Sequence, residues 1–249
     1  MRGLKIAALY SFPPGRFGLC GMGEEASHQI LHFLKGEKVP NIKEILETFE
    51  GSLFYYKLIA KENKISDYFD EKVVKAYWIG NELLEKVRIS KLKEMVAKHL
   101  KKPKLAKKLP ENSKAHHSFH VLIAGPMRKD LTMTEGMKDL CKISWGKILD
   151  VEDYKLEIST LIVEYQPLLK DDKWFLGDLT RRRIFWFKSI LPKVKIGDFV
   201  SFHWDLALEK LSKKDLKNLL KYTKSSIEVA NYLKINSCKL DKSFEYINN

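Results

Sequence analysis

Along this chain the spacing of apolar residues changes once, from a helical interval to an alternating one. Before Pro110 apolar residues recur every three or four positions, which predicts helices. "GEEASHQILHFLKG" spaces Ala26, Ile30, Leu31, Phe33 and Leu34 in this way and stops at Gly36. "PNIKEILETFEG" starts after Pro40 and ends at Gly51, and "SLFYYKLIAKEN" offers Ser52 as a cap. "SDYFDEKVVKAYWIGNELLEKV" predicts the longest helix, with Phe69, Val73, Ala76, Tyr77, Gly80, Leu83 and Leu84 on one stripe. "SKLKEMVAKHLKK" follows and is broken by Pro103. Next, "HHSFHVLIAGP" reads as a helical turn or a short strand, and "TMTEGMKDL" as a short helix.

From Cys141 onward the period is two, and β-branched and aromatic residues dominate. "ISWGKILDV", "KLEISTLIVEY", "RRRIFWF" and "DFVSFHW" predict strands, with turn signals at Glu152-Asp153, Asp171-Asp172 and Gly197-Asp198. Four or five such strands closing on themselves make a small antiparallel barrel. Helices are expected to return with "DLALEKL" and "SKKDLKNLLKYTKSSIEVANYLKI", where Ser212 and Asp215 form a capping pair. The expected architecture is α+β: a helical domain over residues 1–135, a small antiparallel β-barrel over 136–211 and a helical extension over 212–249.

Composition narrows the class. With 45% hydrophobic residues the chain can bury a real core, yet no apolar run reaches the length of a membrane span. The N-terminus lacks the apolar core and cleavage site of a signal peptide. Cys20, Cys141 and Cys238 are far apart and odd in number, so no disulfide framework follows and a cytoplasmic location is expected. The net charge is +13, much of it between Lys86 and Lys108, where ten Lys/Arg face one acid, Glu94. That stretch reads as a solvated helix and linker or as a footprint for nucleic acid or an acidic partner. Its preference for Lys over Arg and its few aromatics favour the solvated reading.

The candidate chemistry lies at the two ends of the alternating segment. It opens "CKISWGKILDV" and closes "VKIGDFVSFHWDLALEKLSKKDL", so that His203 ends a strand. Cys141, Gly146 and Ile148 at the opening, and Ile196, Gly197, Asp198, Val200 and His203 at the close, resemble the HypC/HupF/HybG family of small [NiFe]-hydrogenase maturation chaperones. The resemblance covers about a third of the chain, from Cys141 to about Leu220. It departs from the family in the internal position of Cys141, in Trp145 where the family has Pro, and in extra residues around Tyr165 to Thr180. It implies an OB-type, HypC-like barrel and gives Cys141 and His203 the roles of thiolate and imidazole ligands to iron. That iron is held alone or as an iron–cyanide/carbonyl unit, and the partners are hydrogenase maturation proteins or the hydrogenase large subunit. Thiolate with neutral imidazole suits a metal of borderline softness. Over its whole length, with "YSFPPGRFGLCG", "YWIGNELLE" and "FHV", the chain also resembles an uncharacterised prokaryotic family associated with hydrogenase genes.

Further ligands could come from "HHSFH", where His116 and His120, or His117 and His120, share a helical face. His120 has the most apolar setting and His117 is the alternative. Cys20, on the glycine-rich stretch "SFPPGRFGLCGMGEE", is a further candidate thiol. His28 and His32, one turn apart, and Trp78, Asn81 and Glu82 read as ordinary helix positions. No Ser-His-Asp order or carboxylate pair stands out, so hydrolysis has no support. Three readings follow: an accessory protein of metallocluster maturation, an iron-dependent enzyme acting on a small ligand, and, last, a basic nucleic-acid-binding barrel.

Overall fold

The computed structural model describes residues 1–19, 21, 23–127 and 130–245, with side chains to residue 235. The chain is α+β: helices, then a closed five-stranded barrel, then a long helix. The N-terminal helices are α1 (Arg2–Arg16), α2 (Glu24–Leu34), α3 (Ile42–Glu47), α4 (Glu50–Glu62) and α5 (Glu71–Trp78). A 3₁₀ turn (Glu82–Lys86) leads to α6 (Ile89–Lys98) and α7 (Pro103–Lys108). One turn, α8 (His117–Phe119), continues as a π-helix (His120–Ala124), and α9 (Glu135–Cys141) delivers the chain to the barrel.

Helix α1 is an element the apolar spacing does not mark. It is buried on nearly every side from Ile6 to Gly15, so it has no polar face to create a period, and Pro13-Pro14 reads as loop. The long helix expected across Gly80 is two elements. Gly80 takes φ +95, and a Cβ there would lie 2.1 Å from the Tyr222 ring, so the chain turns where only glycine fits. Ser52 does not cap α4, which begins at Glu50; its Oγ donates to the Phe49 carbonyl instead.

The barrel strands are β1 (Ser144–Glu152), β2 (Ile158–Tyr165), β5 (Thr180–Phe187), β6 (Phe199–His203) and β7 (Leu206–Lys210), in ring order β1-β2-β5-β7-β6. The hairpin β3 (Leu168–Lys170) and β4 (Trp174–Leu176) stands outside the ring, within the segment longer than in the HypC pattern. Alternation sorts the side chains. Ile148, Leu161, Val163, Tyr165, Ile184, Trp186, Val200, Phe202 and Ala207 fill the barrel. Gly146 also faces inward, where a Cβ would sit 2.9 Å from that of Val163. The opposite parity, including Trp145, Leu206 and Leu208, joins the core of the helices.

That double burial corrects the expectation for "DLALEKL", which is strand and not helix. Leu206 and Leu208 face the helices while Ala207 faces the barrel, a period of two that resembles a helix only because charges flank it. Trp204 (φ +50) and Asp205 (φ +57) form the two-residue turn between β6 and β7, with His203 paired to Leu206. Helix α10 (Lys213–Glu245) closes the chain, started by the expected pair: Ser212 Oγ accepts from Asp215 N and the Asp215 carboxylate from Ser212 N. Among the described residues no helix is long and apolar enough to cross a membrane.

Candidate metal centre

Strand parity also directs Ser201 and His203 outward, onto α1. Tyr10 Oη lies 2.9 Å from Ser201 Oγ, and His203 Nδ1 lies 2.9 Å from the Tyr10 carbonyl. His203 therefore meets the helices on the outer wall of the barrel, not within its mouth. A carbonyl only accepts, so Nδ1 carries the proton and Nε2 the lone pair. That Nε2 is buried and makes no well-formed hydrogen bond among the described residues, with the Cys141 carbonyl close enough to act on the ring.

The Tyr10 carbonyl is open to His203 because of the two prolines. In a helix it would accept from residue 14, or from residue 13 in a tighter turn. Both are proline and carry no N–H. The proline pair thus frees the main-chain acceptor that fixes the tautomer of His203, as the hydrogen-bond partner behind a metal-bound imidazole does.

Cys141 is the last residue of α9, and His117 opens α8. With His203 they form a group whose possible ligand atoms all lie within 4.8 Å of one another. A tetrahedral ion with bonds of about 2.0–2.3 Å separates its ligands by roughly 3.5 Å, so the group would contract on binding. His117 Nε2 donates to the Cys141 carbonyl at 2.8 Å, and its Nδ1 lies 3.1 Å from Tyr77 Oη. His117 can ligate only by giving up one of these bonds, whereas His203 has its lone pair open.

Burial keeps these imidazoles neutral, the form that binds metal. It lowers His203 to about 4, and lowers His117 well below the usual value, with the neighbouring His203 adding to the effect. His120 is lowered to about 4 by burial and by the charge of Lys102. Its ring centroid stands 6.5 Å from that of His117, and its Nδ1 lies 3.4 Å from Tyr55 Oη. His120 lines the same cavity without joining the group, and His117 takes the place that apolar setting alone would give it. His116 is also buried and neutral, lowered to about 3 by burial, and its ring faces Tyr222. Cys20 lies outside the described residues. His28 and His32 are exposed, and His32 pairs with Glu37.

The group borders a cavity of about 250 Å³ walled by Pro14, Phe49, Trp78, Met127, Met137 and Trp204. The Trp78 ring lies 4.5 Å from His117 and 6.0 Å from His203, centroid to centroid, and Tyr10 stacks on Trp78 at 5.3 Å. Cys141 is partly exposed while His203 is fully buried, so access is from the thiol side.

One side chain ties the two ligand-bearing elements together. Arg182 grips Asp205 with Nε and Nη2, at 2.6 and 2.9 Å, and reaches Asp139 with Nη1 at 3.1 Å. Asp205 sits two residues after His203, and Asp139 two before Cys141. Trp204 N adds a bond to the Leu140 carbonyl at 2.9 Å. These contacts hold Trp204 at a backbone angle that bulky residues rarely adopt. Arg182→Met is expected to cost up to about 3 kcal/mol, the low end for breaking a buried pair, because Arg182 and Asp205 are partly exposed and Lys142 remains 3.7 Å from Asp139. Thermal melting should show a fall of up to about 12 °C for a chain of this size.

Composition and period could not single out Arg182, Tyr77 or the Tyr10 carbonyl. The only sequence signal was Pro13-Pro14, three and four residues after Tyr10, whose carbonyl they free.

The fold and the site define a helix-and-barrel protein with a His–Cys–His group able to hold a metal. The chain belongs to a family of unknown function, DUF6390, which it matches over residues 1–237. No curated protein matches it, and no solved structure does.

Proposed function

We propose that this chain is an accessory protein of metallocluster assembly, of the kind that serves [NiFe]-hydrogenase maturation. Cys141 and His203, with His117, would hold iron or an iron–cyanide/carbonyl unit as cargo. The observation that carries this reading is the grouping of the buried His203 Nε2, which makes no well-formed hydrogen bond among the described residues, with a cysteine and a second neutral histidine. A buried acceptor with no donor is costly, and a metal ion would satisfy it. The donor set of one thiol and two imidazoles fits iron of borderline softness, and it equally fits zinc.

The resemblance to the HypC-type barrel supports the choice of iron. Gly146 occupies a place inside the barrel where a side chain would collide, and Gly197, at φ +90, turns the chain into β6. Cargo must enter and leave, and the half-exposed Cys141 offers the point of exchange. The helices supply His117 and cover the site, work that a separate partner would otherwise perform. The partners would be hydrogenase maturation proteins or the hydrogenase large subunit, met in the cytoplasm.

A second reading, an iron-dependent enzyme transforming a small ligand, is favoured by the cavity of about 250 Å³ against the group. One experiment separates the two. The chain is purified without oxygen from a host that makes [NiFe]-hydrogenase ligands, then analysed for iron and by infrared spectroscopy in the cyanide and carbonyl region. Bound iron with diatomic bands, both lost in Cys141→Ala and His203→Ala, is the expected result. Iron without bands would favour the enzyme, and no iron in the wild-type chain would overturn both.

A further inference from the structure

We propose that a second cavity, beside the metal centre, binds the oxyanion group of a small molecule, carboxylate or phosphate, through Lys101 and Lys102. This cavity of about 570 Å³ lies between the C-terminal end of α6, the loop to α7, helix α4 and the residues Pro126, Met127 and Leu131. That volume lies within the range of about 300–1,000 Å³ usual for small-molecule sites.

The basic stretch divides in two when its ion pairs are followed. Arg88 pairs with Glu62, Lys91 and Lys98 with Glu94, and Lys93 with Glu111. Lys86, Lys101, Lys102, Lys104, Lys107 and Lys108 have no ion pair among the described residues, and of these the exposed Lys101 and the partly buried Lys102 line the cavity. Lys102 is partly buried, and burial lowers its affinity for a proton. It donates to the Ala124 carbonyl, which leaves two of its three ammonium hydrogens for another acceptor. A desolvated ammonium without a counter-ion is unfavourable, and an anion arriving with a ligand would offset that cost. Among the described residues Glu50 is the one carboxylate on the wall and is exposed, and Lys98, already engaged, is the third lysine there. His99, stacked on Phe54 at 4.8 Å, adds a ring edge.

The concave form argues for a small molecule and against nucleic acid, which would use a broad open stripe of such lysines. The walls made by Glu50, Pro126, Met127 and Leu131 are shared with the cavity that holds His117, Cys141 and His203. A molecule anchored by its oxyanion at the lysines would reach the metal centre with its other end. This last step rests on the metal reading; the anion site itself does not.

The test uses the full metal-free chain and inorganic phosphate or oxalate as probe, followed by amide shifts in two-dimensional NMR. Saturable shifts confined to residues near 98–102 and to Met127 and Leu131 are expected. Lys101→Gln with Lys102→Gln should weaken binding by about tenfold or more, the usual effect of losing a charged hydrogen bond. Lys101→Gln alone, which leaves the Lys102 bond to Ala124 intact, should weaken it in the same direction. Lys104→Gln with Lys107→Gln, an equal loss of charge in the same stretch, should leave it unchanged. Shifts that never saturate, or an equal loss in the control pair, would overturn the proposal. Cys141→Ala should keep phosphate binding, so a failed metal centre with intact anion binding is distinguished from the reverse.

Discussion

Between pH 7 and pH 5 the metal-free chain is expected to lose most of its stability. Three buried histidines, His116, His117 and His203, and the partly buried His120 all have their proton affinity lowered by desolvation, to about 3 for His116 and about 4 for His120 and His203. In the unfolded chain each regains an ordinary value of about 6.5. The unfolded state therefore binds more protons in the interval between, and acid favours unfolding. The stability is fully present above pH of about 6.5 and falls as the pH drops toward 4. Each histidine contributes a slope of up to about 1.4 kcal/mol per pH unit, so the four together approach 5–6 kcal/mol per unit near pH 5. That is comparable with the whole stability of a typical domain, about 5–15 kcal/mol.

Other groups do not cancel this. Glu85, held down to about 2 by Lys114, Lys221 and Tyr222, loses its contribution only at lower pH, and in the same direction. Burial raises Glu209, which opposes the trend, but as one group against four. Urea unfolding at half-unit steps of pH measures the slope. A slope near that of four protons is expected at pH 5, and a flat profile would mean that the histidines are not buried as described. A bound metal should move the whole transition to lower pH, because ligation competes with protonation.

The strands were legible because alternation is visible wherever one face is buried and the other polar. It failed at β7, whose two faces are both buried, and at α1, which is buried all round. In each case tertiary packing removed the polar face that carries the signal. The pattern at the two ends of the barrel segment led to the expectation that Cys141 and His203 meet, and their side chains do lie together. Their joining to His117 was not legible, because it depends on how the helices lie on the barrel wall. The choice between His117 and His120 turned on a single helical step: both line the cavity, and only His117 reaches Cys141. The role of Pro13-Pro14 is visible in sequence only once the partner of the Tyr10 carbonyl is known.

The most direct test of the account is titration of the reduced, metal-free chain with cobalt(II), read by near-ultraviolet and visible absorption. The account predicts one cobalt per chain with a thiolate-to-metal band. That band should vanish in Cys141→Ala. In His203→Ala the affinity should fall by more than the roughly 10–100-fold that changes behind the ligands produce. His117→Ala should weaken binding while keeping the thiolate band. If the wild-type chain binds no more cobalt than Cys141→Ala and shows no thiolate band, the His–Cys–His group is a packing feature of the helix–barrel interface and the metal centre does not exist.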